Sequence, residues 1–291
     1  MRSLTIRSPA KVNLFLKVLG VRRDGYHELI TLFHRISLSD RLTLRKINHP
    51  EFSLTTHHLE LPKKEDNLIY QAHCLLRTHV ASWKGGVGVT LEKRIPLAAG
   101  LGGGSSNAAH FLLGVNRLFG LSLPLKTLVR IAGKLGSDVP FFLYEVNQAI
   151  GRARGEAIEP LPFLKKLWFV LILPPFRLST RQVYKRLSGQ VRLTRISHDA
   201  TITSDFFRRC AQRISTRMLS NDLFQASSSL RPELNQLDVF LGKVGASRRL
   251  MSGSGPAMFS IHDSNEEAVR VARRIRRQRP ELGVFISHTY S

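Results

Sequence analysis

A run of small residues, Gly100-Leu-Gly-Gly-Gly-Ser-Ser106, constrains the fold of this chain more than any other segment. Upstream, apolar residues alternate with polar or small ones over 87–91, which predicts a strand. Downstream, apolar residues recur at helical spacing from Ala108 to Phe119, and Gly120 supplies a C-terminal stop. The sequence therefore predicts the order strand, glycine loop, helix.

Small residues directly ahead of a helix let backbone N–H groups turn toward an anion. The first turn of the helix adds unpaired N–H donors and a partial positive charge, so a nucleotide polyphosphate is the usual guest. The loop is not a Walker A motif, because no Lys-Ser or Lys-Thr pair follows the glycines. It is not the dinucleotide fingerprint either, because Ser105 stands at the third glycine position. Taken alone, the segment is also compatible with a flexible loop without a ligand.

The composition is that of a soluble globular protein. A length of 291 residues allows two domains, and the chain is 43% hydrophobic and 22% charged. Cys74 and Cys210 lie far apart, which argues against a disulfide scaffold or a zinc site and suits a reducing cytoplasm. The apolar run at 167–173 is too short to span a bilayer and predicts a buried strand. Because no targeting segment is visible, we expect a cytoplasmic protein without a membrane partner.

The formal net charge of +23 raises the possibility of a nucleic-acid partner. Its strongest local case is the arginine-rich stretch Arg270–Arg279. The same stretch carries an apolar stripe at helical spacing, a capping box at Ser264 and Glu267, and a stop at Pro280. This pattern favours an amphipathic surface helix with a solvated arginine face. No zinc-finger, RNP or KH signature accompanies it, so no specific nucleic-acid partner is predicted.

The rest of the chain mixes the two kinds of element. Strands are predicted at 4–19, as a pair over 29–47, and at 167–173, 256–261 and 283–288. Helices are predicted at 67–80, 124–135, 181–187, 222–228, 231–245 and 265–279. Glycines, a proline and charges accumulate over 147–160, where we place a domain change. The prediction is an α+β protein with an N-terminal domain over 1–155 and a C-terminal domain over 156–291.

Three further segments carry chemistry. Lys11 and Asn13 point to the same side of a predicted strand, and a lysine among apolar residues needs an interaction partner or a functional role. Asp138 follows a helix end and precedes an apolar block, and Met251–Ala257 is a second small-residue turn. Each also has a simpler interpretation: Lys11 could extend to solvent, Asp138 could cap a helix, and the turn could be only a turn.

Together, and in this order along the chain, these segments resemble the GHMP kinase family, whose three motifs lie near the start, at the glycine loop and near the C-terminus. The matching stretches are Pro9–Asn13, Pro96–Ala109, Gly136–Phe141 and Ser252–Ala257. Asp24–Leu29 and Ser220–Leu223 are similar to the branch whose acceptor carries a cytidine diphosphate group. The resemblance implies an N-terminal domain like the second domain of ribosomal protein S5 and a ferredoxin-like C-terminal domain.

The resemblance also implies a set of site residues. Lys11 and Asp138 match the catalytic lysine and aspartate. The acceptor is expected on Asn13, Tyr26, His27, Thr180 and Tyr184. ATP, the co-substrate, is expected on Asn67, Lys93, Pro96, Gly100, Leu101, Gly102, Gly103, Gly104, Ser105 and Ser106. Mg²⁺ is expected to be held mainly by phosphates and water, and no metal-binding residue is predicted.

These residue types suit phosphoryl transfer, which asks mainly for positioning and charge stabilisation. A carboxylate such as Asp138 can take the proton of an acceptor hydroxyl. Tyr26 can stack on a pyrimidine while His27 bonds its polar edge. Two alternatives stay open: another small-molecule kinase of the family, of the homoserine or mevalonate type, and a nucleic-acid-binding module. Neither acceptor of the first kind has a base to stack, and a pure binding module has no use for Asp138.

Overall fold

The computed structural model describes residues 3–49, 51–58, 60–62, 64–162, 165–190, 205–208 and 218–290. The chain forms two compact units. The first consists of Met1–Ala10, Leu38–Leu97 and Gly102–Glu145. The second consists of Lys11–Ser37, Ala98–Leu101 and Val146–Ser291. The predicted domains 1–155 and 156–291 stay a prediction, and the two compact units divide the chain at other points.

Two long strands, β1 (Ser3–Val21) and β2 (His27–Ile47), contribute residues to both units. The prediction of a pair of strands over 29–47 is wrong, because this stretch forms one strand. It contains neither glycine nor proline, so the alternating pattern continues without a turn.

In the first unit, strands from three parts of the chain pair side by side. β3 (Phe52–Thr56) lies parallel to β4 (Gly86–Glu92), and β4 is antiparallel to the C-terminal half of β2. The helices of this unit are α1 (Leu68–His79), α2 (Gly103–Phe119) and α3 (Leu125–Leu135), with 3₁₀ helices at Lys64–Asp66 and Pro140–Leu143. Strand, loop and helix follow one another around residue 100, as predicted.

The glycine-rich segment is more helical than the sequence suggests. α2 begins at Gly103, where Gly102 turns the chain with a left-handed φ of 69°. The small residues Gly103–Ser106 are therefore the first turn of α2 and not a loop ahead of it. At the other end, Gly120 closes the helix with φ at 63°, as predicted. Asp138 does not stand at the N-cap position of a helix, because it lies in a turn and Val139 is the residue directly before the 3₁₀ helix.

In the second unit, β5 (Gln148–Arg152) pairs with the N-terminal half of β2, and β6 (Ala157–Leu161) pairs with β5. β8 (Ser220–Asn221) runs parallel to β1 at Phe15 and Leu16. The sequence signals for these short strands are weak, and none of them was predicted.

The second unit also contains a four-stranded antiparallel sheet. Its spatial order is β11 (Gly283–His288), β7 (Trp168–Leu173), β10 (Met258–His262), β9 (Arg249–Met251). In chain order this is fourth, first, third, second. α4 (Thr180–Gln190) follows the first strand and α7 (Asn265–Gln278) follows the third. This is the ferredoxin-like β-α-β-β-α-β arrangement that was predicted. α5 (Leu223–Leu230) and α6 (Glu233–Lys243) are additional helices.

The apolar stripe of α7 lies in the core of the second unit. Ala268, Val271 and Ile275 are buried in one cluster with Val170 and Ile172 of the sheet. The arginines of α7 therefore lie on its outer side. The predicted N-cap is confirmed, since the N–H of Glu267 donates to the Ser264 hydroxyl at 3.2 Å. Burial of the stripe accounts for this helix without any ligand on its arginine face.

We expect Gly86→Ala to destabilise the protein by about 1–3 kcal/mol, because overpacking at a site that cannot yield has this cost. A β-carbon on Gly86 would lie 1.7 Å from the carbonyl oxygen of His49. Gly88→Ala is the matched control two residues along β4, where the nearest atom, Ser53 Oγ, is 3.3 Å away. Urea unfolding of both variants checks the difference. Equal midpoints would contradict the backbone clash.

Candidate active site

The glycine-rich segment has a left-handed backbone at every second residue. The φ angles are 52° at Ala98, 76° at Gly100 and 69° at Gly102. Alternation of this kind aims successive N–H groups into one anion-binding concavity. Helix geometry adds the amides of the first turn of α2, from Gly103 to Ser105, which have no partner within the helix. The segment therefore offers a set of backbone donors to an anion.

Hydrogen bonds from neighbouring residues hold the carbonyl groups of this segment. In the second unit, three consecutive carbonyl oxygens, at 99–101, each accept a hydrogen bond. Their donors are the Ala257 N–H at 3.3 Å, the Ser252 hydroxyl at 2.9 Å and the Lys11 N–H at 3.0 Å. Because N–H and C=O of one peptide point in opposite directions, these bonds turn the amides away from the protein partners.

The three motif segments meet within the second unit. A β-carbon on Gly100 would lie 2.1 Å from the Ser252 carbonyl oxygen, so this contact admits glycine alone. A β-carbon on Gly253 would lie 3.3 Å from Asn13 Oδ1 and 3.5 Å from both Lys11 Nζ and the Gly100 oxygen. The N-terminal strand, the glycine loop and the C-terminal turn are thus neighbours.

Lys11 is buried, with 3% of its surface exposed, so the interpretation of a side chain that extends to solvent is wrong. Its Nζ donates to Asn13 Oδ1 at 2.7 Å and lies 5.5 Å from the ring centre of Phe33. Asn13 Nδ2 donates to the Thr31 hydroxyl at 2.8 Å, and that hydroxyl donates to the Phe15 carbonyl at 2.7 Å. This chain of bonds fixes which way the Asn13 amide faces.

Two residues of the second unit that support the site were not predicted. Asn221 Nδ2 donates to the carbonyls of Met251 and Gly253, both at 2.8 Å, while its Oδ1 accepts from the Leu223 N–H at 3.0 Å. Thr31 is the other, through its bond to Asn13. The sequence signal for Asn221 is its place in the motif Ser220–Leu223, and the signal for Thr31 is a polar residue within an apolar strand.

The Lys93 ammonium lies beside the start of α2, 3.1 Å from where a β-carbon on Gly103 would be. It donates to Asp40 at 2.5 Å, and both side chains are almost fully buried. Asp40 also accepts from the N–H groups of Arg94 and Ile95, at 2.7 and 2.8 Å. Burial lowers the pKa of Lys93, while the charge of Asp40 opposes that shift.

Two predicted ATP residues use their side chains inside the first unit. Asn67 caps α1 by accepting from the Ile69 N–H at 2.9 Å. Ser106 is fully buried, and its hydroxyl accepts from Ser8 at 2.8 Å. Their part in ATP binding stays a prediction.

The predicted acceptor residues group in the second unit. The guanidinium of Arg154 lies 4.8 Å over the ring of Tyr26, which is exposed. His27 Nε2 is 2.8 Å from the Ser188 hydroxyl, and its ring centre is 4.9 Å from that of Tyr184. Burial lowers the pKa of His27, which favours the neutral ring at pH 7.

Thr180 begins α4, and its hydroxyl is 2.8 Å from that of Ser254 in the C-terminal turn. Asp138 and Pro96 are half-buried in the first unit. The second unit therefore gathers Lys11, Asn13, Tyr26, His27, Gly100, Leu101, Thr180 and Tyr184. The remaining predicted residues belong to the first unit: Asn67, Lys93, Pro96, Gly102, Gly103, Gly104, Ser105, Ser106 and Asp138.

Within the described ranges, no group of three or more His, Cys, Asp and Glu side chains is arranged to hold a metal ion. The helices of the same ranges include none long and apolar enough to cross a membrane. Cys210 lies outside the described residues, and Cys74 is an exposed free thiol.

Comparison with known proteins places these features in a family context. The model for the GHMP kinases N terminal domain matches residues 67–145. The 4-diphosphocytidyl-2-C-methyl-D-erythritol kinase of Moorella thermoacetica is 41% identical, over 97% of this chain and 98% of its own. That of Syntrophus aciditrophicus is 40% identical, over 91% and 92%.

Solved structures agree with the sequence relatives. A crystal structure of 4-(cytidine 5'-diphospho)-2C-methyl-D-erythritol kinase has a TM-score of 0.81 at 34% identity, covering 99% of this chain and 100% of its own. A homoserine kinase from Cytophaga hutchinsonii has a TM-score of 0.74 at 20% identity, covering 99% and 95%. The second likeness shows a shared fold.

We expect Gly104→Val to weaken ATP binding by about 10-fold or more, because its methyl groups block a charge-assisted bond to a first-turn amide. Gly104 is exposed, and a β-carbon there meets Leu68 Cδ1 at an ordinary 3.6 Å, so the variant folds. Gly133→Val in α3 is the control, since a β-carbon there meets no atom of the described residues within 4 Å. Calorimetric titration with ATP compares them. Equal affinities would exclude this turn as the phosphate site.

We expect Thr31→Val to lower kcat by about 10-fold with little change in KM for ATP, because Asn13 Nδ2 loses its buried acceptor and no longer orients toward Lys11. Thr31→Ser keeps the hydroxyl and should restore kcat. Steady-state kinetics of the two variants make the comparison. If Thr31→Ser, which keeps the hydroxyl, lowered kcat as much as Thr31→Val, the hydrogen bond to the hydroxyl would not be what kcat depends on.

Proposed function

This chain belongs to the GHMP kinase family, and from that premise we propose that it transfers the γ-phosphoryl group of ATP to the 2-hydroxyl of 4-diphosphocytidyl-2-C-methyl-D-erythritol. Relatives at 36–41% identity over at least 90% of the chain are kinases named for this acceptor. The reaction is a step of non-mevalonate isoprenoid precursor synthesis.

The observation that carries the proposal is the meeting of the three motifs in the second unit. Lys11 holds the loop through its N–H and carries the buried ammonium on the same residue. Gly253 lies against both Asn13 and Gly100. A loop that only connected two elements would not need a buried lysine, a buried asparagine and two close-packed glycines at one point.

In the proposed reaction, the amides of Gly102–Ser105 hold the phosphates of ATP. Asp138 accepts the proton of the 2-hydroxyl as the new oxygen–phosphorus bond forms and the bond to ADP breaks. The Lys11 ammonium stabilises the negative charge of the transferred phosphoryl group, and Asn13 keeps that ammonium in position. ADP and the phosphorylated acceptor are the products.

Mg²⁺ accompanies ATP in this proposal. When bound, it neutralises charge on the phosphates. Phosphate oxygens and water suit its preference for octahedral oxygen ligands, so a dedicated cage of protein side chains is not required. The chain's own contribution at this point is the set of backbone amides.

The acceptor's cytosine is assigned to the aromatic group of the second unit. Tyr26 and Tyr184 offer ring faces for stacking, and His27 offers a neutral ring for the polar edge of the base. The Ser188 hydroxyl fixes the His27 ring through Nε2, and we assign Nδ1 to the base. Homoserine and mevalonate carry no base that could bind to these aromatic residues.

The partners in this proposal are small molecules, namely ATP and the cytidyl acceptor. We further propose a cytoplasmic location, since ATP is available there and the chain has only two cysteines. We do not propose a membrane or a specific nucleic acid as a partner on account of the net positive charge.

One assay tests the proposed reaction directly. ADP release is measured with the cytidyl acceptor, with homoserine, with mevalonate and without an acceptor. We expect stimulation by the cytidyl acceptor alone. Stimulation by homoserine or mevalonate instead would reject the acceptor assignment while keeping the kinase.

We expect Asp138→Asn to lower turnover by at least about 10²-fold, the low end for loss of a general base, while ATP still binds. Asp66→Asn, an exposed carboxylate of the same unit, is the control. Single-turnover measurements at saturating ATP check the chemical step. Near-normal turnover in the variant would remove Asp138 from the mechanism.

We expect His27→Ala to lower kcat/KM for the acceptor by about 5- to 150-fold, since an unpaired buried polar group costs about 1–3 kcal/mol. KM for ATP should stay unchanged. His49→Ala, at an exposed histidine of the first unit, is the control. A raised KM for ATP together with an unchanged kcat/KM for the acceptor would show that this segment does not bind the pyrimidine.

A further inference from the structure

A second polar site lies on the second unit, along α4. It is a groove of 500 Å³ whose lining includes four cationic side chains, Arg177, Lys185, Arg186 and Arg231. Cations that line one groove repel one another, and an anion between them relieves that repulsion. The groove therefore has the charge of a phosphate-binding site.

Two of the guanidinium groups are held in place by neighbours. Arg231 lies 5.4 Å over the ring of Phe176. Arg186 donates through Nε to the Ser229 hydroxyl at 3.0 Å, which uses one of its five N–H donors. A guanidinium fixed in advance loses less entropy when it binds a phosphate, so these two are the anchors of the site.

The lining also includes two leucines. Leu178 is buried and Leu230 is 37% exposed, so the apolar surface that the groove offers comes mainly from Leu230. An inorganic anion would leave this apolar surface in water. A ligand with an apolar part next to its phosphate would cover it.

The groove is separate from the predicted acceptor residues. Helical spacing puts Thr180 and Tyr184 on one side of α4 and Gln182, Lys185 and Arg186 on the opposite side. A ligand in the groove would therefore not compete with the cytosine for Tyr184.

The arginine face of α7 forms another basic groove among the described residues of this unit, with a volume of 660 Å³. It is lined by Glu266 as well as by arginines, and by Val269 in place of the two leucines. Substitution of one of its arginines is therefore a matched control, because it removes the same positive charge outside the α4 groove.

We propose that the α4 groove binds a small organic diphosphate, with its phosphates on Arg186 and Arg231 and its apolar chain on Leu178 and Leu230. This ligand is distinct from the substrates of the proposed reaction. The site stands whether or not that reaction is correct, because it rests on other residues.

Calorimetric titration of the full chain with n-pentyl diphosphate and with inorganic pyrophosphate tests the site. We expect saturable binding of n-pentyl diphosphate, weakened about 10-fold by Arg186→Gln or Arg231→Gln, as for loss of one charge-assisted pair. Arg273→Gln on α7 removes the same charge elsewhere and should leave the affinity unchanged. Leu230→Asn should weaken n-pentyl diphosphate and leave pyrophosphate unchanged.

Three outcomes would overturn the proposal. The first is no saturable binding of n-pentyl diphosphate. The second is an equal loss in Arg231→Gln and Arg273→Gln, which would mean general charge attraction. The third is binding of a polyuridine RNA that depends on Arg186 and Arg231 while n-pentyl diphosphate fails to bind, which would make the groove a polyanion surface.

Discussion

The candidate site depends on the hydrogen bonds that fix the carbonyl groups of residues 99–101. Left-handed backbone at Ala98 costs about 1–2 kcal/mol, and the glycines at 100 and 102 lose conformational freedom as well. Three hydrogen bonds at about 0.5–1.5 kcal/mol each offset a cost of that size. The loop is therefore held in one shape before any anion arrives, which lowers the cost of binding.

Lys11 links this loop to the chemistry. Its main chain holds the Leu101 carbonyl while its side chain joins Asn13, so a shift of the strand would move the loop and the ammonium together. A buried charge is costly unless it is hydrogen-bonded, and the bond from Asn13 to Thr31 keeps the amide oxygen turned toward the ammonium. One short stretch of β1 thus sets both the position of the glycine loop and the position of the Lys11 ammonium.

The sequence predicted best what depends on local pattern. The order strand, loop and helix around residue 100, the stop of α2 at Gly120, the N-cap of α7, and three of the four strands of the ferredoxin-like sheet follow from periodicity and turn residues, whereas the short strand β9 was not predicted. The start of α2 at Gly103 was missed because glycine and serine are poor helix formers, yet Gly102 turns the chain there. Asp40, Thr31 and Asn221 were missed because their partners are 53, 18 and 30 residues away.

The anchors of the glycine loop come late in synthesis. The Ser252 hydroxyl that holds Gly100 is 152 residues further along the chain. At about 5–20 residues per second, a ribosome needs roughly 8–30 s to cover that distance. During this interval two of the three residues that donate to the carbonyl groups of the loop have not yet been synthesised. A chain that stops before Ser252 would therefore keep most of its length and lose the shape of the loop.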